Sequence, residues 1–250
     1  MFRMLKTRLD QGYRTFPFPE AEPSMPESYQ GLPVTRGTCP AGCRACLEVC
    51  PTGAIRLDGG APSVDLGRCV FCGACAEGCR AGVVEFTRNF RMAVSRREDL
   101  VVKGAGIEPA SGLDEKRRSL FGRSLKLRQV SAGGCNACEA DTNVLGTLVY
   151  DLGRFGIQFV ASPRHADGLL VTGPVTENMK LALEKTYEAL PPPKVVIAVG
   201  ACAISGGIYR GQEEACGGVG GLLPVDLFIP GCPPHPWTIL DGLLRLVGRI

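Results

Sequence analysis

The stretch LKLRQVSAGGCNACEAD, residues 125–141, runs from a strand signal through a glycine pair into two cysteines two residues apart. The first seven residues mix apolar and β-prone side chains, and the following EADTNVLGTLVYDLGRF (139–155) has the spacing of an amphipathic helix. Cys135 and Cys138 therefore fall at the mouth of a helix, where the positive end of the helix dipole favours a thiolate. Two thiolates cannot complete a four-coordinate metal or iron–sulfur site, so the remaining ligands must come from elsewhere in the chain.

Working outward, strand and helix signals continue to alternate. IQFVAS (157–162) and DGLLVTG (167–173) read as strands, and a helix opens with Thr176 as N-cap and Glu177 in its first turn and stops at the prolines 191–193. The strand KVVIAVG (194–200), a glycine-rich loop (205–221), the strand VDLFIPG (225–231) and a terminal helix from about Pro236 complete the series. Continuous apolar strands separated by helices predict an α/β domain, a flavodoxin-like parallel sheet covered on both faces. Cys202 lies just beyond the 194–200 strand and Cys232 just beyond the 225–231 strand. In such sheets the carboxyl ends of the strands form the ligand crevice, so Cys135, Cys138, Cys202 and Cys232 are expected to hold one 4Fe–4S cluster there.

The first part of the chain repeats itself. Displaced by 29 residues, CRACLEVCPTGAIRL (43–57) superposes on CGACAEGCRAGVVEF (72–86), cysteines and glycines included. Each copy carries four cysteines: Cys39, Cys43, Cys46 and Cys50, then Cys69, Cys72, Cys75 and Cys79. Paired C-x2-C units also make zinc sites, but two four-cysteine runs with Pro51 after Cys50 favour iron–sulfur chemistry. Residues 31–103 resemble a dicluster ferredoxin, and more narrowly the ferredoxin-like subunit of complex I and of membrane-bound hydrogenases. That resemblance implies a crossed pairing, in which Cys39, Cys43, Cys46 and Cys79 hold one cluster and Cys69, Cys72, Cys75 and Cys50 the other. Two features depart from the pattern: the first gap, CPAGC, is one residue longer than usual, and Arg80 follows Cys79 where proline is common.

Residues 125–250 resemble the cluster-bearing small-subunit family shared by complex I (its PSST or B-type subunit) and NiFe hydrogenases. The resemblance rests on GGCNACEAD, RFGIQFVASPRHADGLLVTGPVT, GACAISGGIY and VDLFIPGCPPHPWTILDGLL. In the complex I subunit the first two ligands are adjacent cysteines beside the quinone site, whereas the hydrogenase type spaces them as Cys135 and Cys138 are spaced here. The acids Glu139 and Asp141 further resemble the energy-converting, formate hydrogenlyase-like group. These two acids read either as first-turn partners of the helix dipole or as proton-handling groups near the catalytic subunit. His165 and His235 read as structural or capping groups, with Arg164 and Asp167 in a polar network beside His165.

The resemblance implies an electron-transfer subunit of an oxidoreductase complex carrying three 4Fe–4S clusters. No catalytic centre is expected in this chain, because after twelve ligands only Cys216 of the thirteen cysteines remains, read as a free loop thiol or as exchanging with Cys202. The implied partners are a large catalytic subunit, membrane subunits and a donor such as formate dehydrogenase or ferredoxin. The alternatives are a complex I-like NADH:quinone oxidoreductase subunit and a stand-alone carrier.

Composition sets the outer limits. A length of 250 residues allows two compact units, and a hydrophobic content of 45% supplies a real core. The net charge of +3 argues against a nucleic-acid binder, although residues 88–128 concentrate eleven Lys and Arg against five acids, a solvated linker or a surface for an acidic partner or anionic membrane. Cysteines at metal-ligand spacing without an apolar leader point to a reducing, cytoplasmic compartment, with attachment to the cytoplasmic membrane only through a complex. The expected organisation is an extended, proline-rich arm (1–30), the dicluster domain (31–103), a basic linker (104–124) and the sheet domain (125–250).

Overall fold

The computed structural model describes residues 2–250. Helix α1 (Phe2–Gln11) is followed by an irregular arm, and then by β1 (Pro33–Thr35), α2 (Ala45–Glu48), β2 (Ile55–Asp58), β3 (Ala61–Asp65), α3 (Ala74–Glu77), β4 (Val84–Phe86) and β5 (Val101–Lys103). The sequence repeat is a structural one: α2 and α3, and β2 and β4, begin at equivalent positions of the two copies. β1 pairs antiparallel with β4, and β3 lies between β2 and β5 in a second antiparallel sheet. Elements this short cannot bury enough surface to stand alone, so cross-links through bound metal are the natural staples of such a unit.

The second half contains α4 (Glu115–Phe121), β6 (Leu125–Ser131), α5 (Ala137–Val144), β7 (Ile157–Phe159), β8 (Gly168–Thr172), α6 (Glu177–Glu188), β9 (Val195–Val199), α7 (Gly200–Ser205), β10 (Leu227–Ile229) and α8 (Pro236–Leu246). The five strands are all parallel in the order β10-β9-β8-β6-β7. Read from the other edge, this is the flavodoxin-like order, with its topological switch between β6 and β8. Alternation decides the two faces. Leu125, Leu127, Leu170, Val195, Ile197 and Val199 turn toward α8, while Val130, Leu169, Val171, Val196 and Ala198 turn toward a core shared with Leu66, Leu100 and Val102 of the ferredoxin half. The two halves thus share a core, and Val94 exchanges backbone hydrogen bonds with Phe228 across it.

Three expectations need correction. The helix expected over 139–155 ends at Val144, and the chain turns back so that Leu152 N–H donates to the Leu145 carbonyl at 3.0 Å. Leu145 and Leu152 are both buried, so they imitate a helical stripe from opposite ends of a loop whose Leu148 is exposed. The segment 104–124 is not a bare linker: α4 buries Phe121, and Arg117 bridges Asp114 and Asp226 at 2.6 Å each. Much of the basic excess of residues 88–128 is spent in the same way, on Arg91 with Glu22, Arg96 with Asp99, and Arg97 with Asp65.

The arm, finally, is not extended throughout. Residues 2–11 are helical, with Phe2, Leu5 and Leu9 along one exposed face. The rest straps onto α8: Phe16 and Phe18 lie 5.2 and 5.4 Å from the Trp237 ring, Tyr150 lies tilted against the same ring at 4.5 Å, and Arg154 donates to the Phe16 carbonyl at 2.7 Å. Trp237→Ala is therefore expected to cost about 3–5 kcal/mol in denaturant unfolding and to expose residues 12–29 to protease. A loss below about 1 kcal/mol with the arm still protected would show that the ring does not hold the strap.

Candidate iron–sulfur sites

In the ferredoxin half the repeat turns each cysteine run around a short helix. The thiols of Cys39, Cys43, Cys46 and Cys79 lie within electrostatic reach of one another, and those of Cys50, Cys69, Cys72 and Cys75 form a second group. The second group lines a pocket whose walls, Pro51, Ala54, Ile55, Val64, Val70 and Phe86, are largely apolar, with Cys69 and Cys75 buried and Cys72 exposed. Equivalent backbone groups serve the last cysteine of each run: Ala54 N–H donates to Cys50 Sγ at 3.3 Å and Val83 N–H to Cys79 Sγ at 3.2 Å. Phe71 N–H reaches Cys69 Sγ at 3.3 Å. Amides aimed at sulfur stabilise charge on a thiolate and are a known lever on cluster potential.

The third group sits at the carboxyl edge of the parallel sheet. Cys135 and Cys138 come from the β6–α5 turn, Cys202 from the first turn of α7 after β9, and Cys232 from the turn after β10. All four thiols act electrostatically on one another. The turn at Gly200 makes the approach possible: its φ is +87°, Ala201 N–H donates to the Gly231 carbonyl at 2.8 Å, and a Cβ at Gly200 would stand 2.6 Å from Cys138 Sγ. Cys135 and Cys232 are exposed, so this group opens on the surface. Among the described residues no three His, Cys, Asp or Glu side chains close on a single-ion point; the four thiols of the second group line a pocket instead.

Burial raises most of these thiols: Cys69 is pushed up to about 12 and Cys75 and Cys202 to about 11, with Cys138 also raised. Cys79 goes the other way, because the amides of Val84, Val83, Ala81 and Gly82 outweigh its burial. The donor set, soft thiolate in tight loops with amide hydrogen bonds, fits iron–sulfur clusters, which when bound supply one-electron storage. A stability consequence follows for the cluster-free chain. Thiols raised in the folded state and ordinary at 9.0 in the unfolded state contribute stability below that pH and lose it as pH rises toward 11–12. The urea midpoint of the metal-free protein is therefore expected to fall between about pH 8 and about pH 10, and that of the loaded protein, whose thiolates are already deprotonated, to fall less. Equal slopes would show that the thiols are not held protonated by the fold.

Glu139 and Asp141 do not form a pair. Glu139 is buried, and its Oε1 accepts the Thr172 hydroxyl at 2.6 Å from the end of β8. Half-burial raises Asp141, which faces a different environment near Tyr150. His235 is the N-cap of α8, its Nδ1 accepting from Trp237 N–H at 3.2 Å, and burial lowers its pKa. Asp167 takes the Lys126 N–H at 2.7 Å. Cys216 donates to Glu177 at 3.1 Å, on the loop between α7 and β10. The burial of Glu139 under Thr172 has no signal in the sequence, since the partners are far apart along the chain.

A dicluster half and an open thiol group at the carboxyl edge of a flavodoxin-like sheet define the class, an iron–sulfur subunit of an oxidoreductase. Residues 135–246 match the family described as NADH ubiquinone oxidoreductase, 20 Kd subunit, and residues 38–83 match the 4Fe-4S dicluster domain. Relatives include a probable membrane-bound hydrogenase subunit mbhJ of Pyrococcus furiosus, 44% identical over 130 residues, or 52% of this chain and 78% of the relative. Formate hydrogenlyase subunit 7 of Escherichia coli is 43% identical over 128 residues, 51% of this chain and 50% of the relative. An NADH-quinone oxidoreductase subunit of Citrifermentans bemidjiense is 44% identical over 117 residues, 47% of this chain and 68% of the relative. The chain belongs to the 20 kDa subunit family of NADH ubiquinone oxidoreductase, with a 4Fe–4S dicluster domain in front of it.

Proposed function

We propose that this protein is the iron–sulfur electron-transfer subunit of a membrane-associated, formate hydrogenlyase-like NiFe hydrogenase complex, with three 4Fe–4S clusters held by the three thiol groups described above. The observation that carries the reading is the surface-open group of Cys135, Cys138, Cys202 and Cys232, whose first two members are spaced rather than adjacent. Backbone amides donate to the sulfurs, apolar side chains line the second group, and the exposed Cys135 and Cys232 leave the third group accessible to a catalytic large subunit. Among the described residues no helix is long and apolar enough to cross a membrane, so attachment at the cytoplasmic face would come through partner subunits. The NADH-quinone oxidoreductase relative supports a second reading, transfer to quinone.

The test is to purify the chain with its native partners from membranes under anaerobic conditions. Iron and acid-labile sulfide, counted on the chain separated from those partners, should each come to about twelve per chain, three cubes of four, and the intact complex should evolve or consume hydrogen. Quinone reduction without hydrogen turnover would install the second reading; a chain isolated without partners would leave a stand-alone carrier.

A further inference from the structure

The seam between the two halves is built on Gly67. Its carbonyl accepts the Ser205 hydroxyl at 2.6 Å, and a Cβ there would lie 2.8 Å from Ile204 and 2.7 Å from the Arg97 guanidinium carbon. Gly67 is two residues before Cys69 of the second thiol group, and Ser205 ends the α7 turn that carries Cys202 of the third. Segments that carry the second and third groups therefore meet across one hydrogen bond, Gly67 two residues from Cys69 and Ser205 three from Cys202. The lining around Cys39 and Cys43, by contrast, runs only between Cys39 and Gly60.

Positive charge gathers in this seam. Arg97 donates to Asp65 Oδ2 at 2.8 Å, while Arg68 Nε stands 3.5 Å from the same oxygen and is buried with no hydrogen-bond partner. The other Asp65 oxygen is taken by Gly67 N–H at 2.9 Å. Arg210, on the turn whose Gly207 packs against Cys202 Sγ, adds its charge to that of Arg68, as do Arg56 and Arg97. Among the described residues, Asp65 is the one acid that pairs with Arg68 or Arg97. Crowding guanidinium groups around a single carboxylate, with one buried N–H unsatisfied, costs stability. An iron–sulfur cluster becomes more negative on reduction, so fixed positive charge beside it favours the reduced form.

We propose that Arg68, with Arg97 and Arg210, raises the reduction potentials of the clusters on the two sides of the seam relative to the first cluster, so that electrons in the ferredoxin half settle at the seam. The inference rests on the reading of three clusters given above. Arg68 is here a positioning residue for charge and touches no reacting atom.

The test is a redox titration of the whole purified protein, with each cluster followed by its EPR signal and iron counted in the same sample. In Arg68→Met the signals assigned to the second and third clusters should move to more negative potential while that of the first stays in place. Arg68→Lys should largely restore them, and Arg210→Met should shift the third cluster in the same direction from the other side of the seam. Met variants with full iron and unmoved potentials would overturn the proposal, as would a Lys variant that shifts as far as Met, since that would be loss of packing rather than of charge. Wild-type protein carrying fewer than three clusters would instead overturn the underlying reading, and this inference with it; the iron count separates the two failures.

Discussion

Replacing Cys50 and Cys69 together by alanine is expected to cost the protein one cluster, whereas replacing Cys50 and Cys43 together costs two. The sequence puts Cys43 and Cys50 in one run and Cys69 in the other. The fold regroups them. Cys50 lies among the thiols that act on Cys69 and Cys75 and lines their pocket, while Cys79, the last cysteine of the second run, acts on Cys39 and Cys46. Two ligands removed from one cube destroy a single cube, and two removed from different cubes destroy both. Iron should thus fall from about twelve to about eight in the first double variant and to about four in the second. Uncrossed pairing predicts the reverse order, so the two counts decide between them. The ferredoxin half has little core of its own, so the second variant is also expected to unfold at lower denaturant.

What the sequence makes legible is whatever depends on local spacing. The repeat is visible because the cysteines, the short helices and the strands recur at one fixed interval, each copy turning its cysteine run around a short helix. The parallel sheet is visible because Val195–Val199 and 169–171 are apolar without interruption, as strands covered on both faces must be. Placing Cys202 and Cys232 at one edge needs only the rule that parallel strands end on the same side. The features that escape are tertiary. Proline-rich residues 12–29 give no sign that Phe16 and Phe18 find Trp237, and an arginine-rich stretch gives no sign that Arg117 reaches Asp226. The stripe that suggested a helix to residue 155 is built by Leu145 and Leu152 meeting across a turn, and periodicity cannot tell such a pair from two helical turns. Nor does spacing reveal the arginines gathered at the Gly67 seam, because Arg210 comes from the loop after α7 in the other half.

Gly200→Ala is expected to remove the third cluster and leave the other two. Three ligand-bearing segments meet at this residue: Cys138 Sγ faces its Cα, Cys202 follows two residues on, and the Gly231 carbonyl beside Cys232 accepts the N–H of Ala201. A methyl group there meets Cys138 Sγ at 2.6 Å and the Gly231 oxygen at 3.5 Å, so either the sulfur or the α7 turn must move. The backbone contributes separately, since φ is +87° and left-handed backbone costs a residue with a Cβ about 1–2 kcal/mol. Gly211→Ala separates the two effects. Its φ is +83°, and a Cβ there meets nothing within 4 Å. It should carry the same backbone penalty and keep all three clusters. Loss of about four irons and of electron delivery to the partner in Gly200→Ala, with full iron in Gly211→Ala, would locate the effect at the sulfur. Equal iron in both variants would mean that the turn at Gly200 can yield without disturbing Cys138, and the third site would then be held by its remaining segments more firmly than the contact distances indicate.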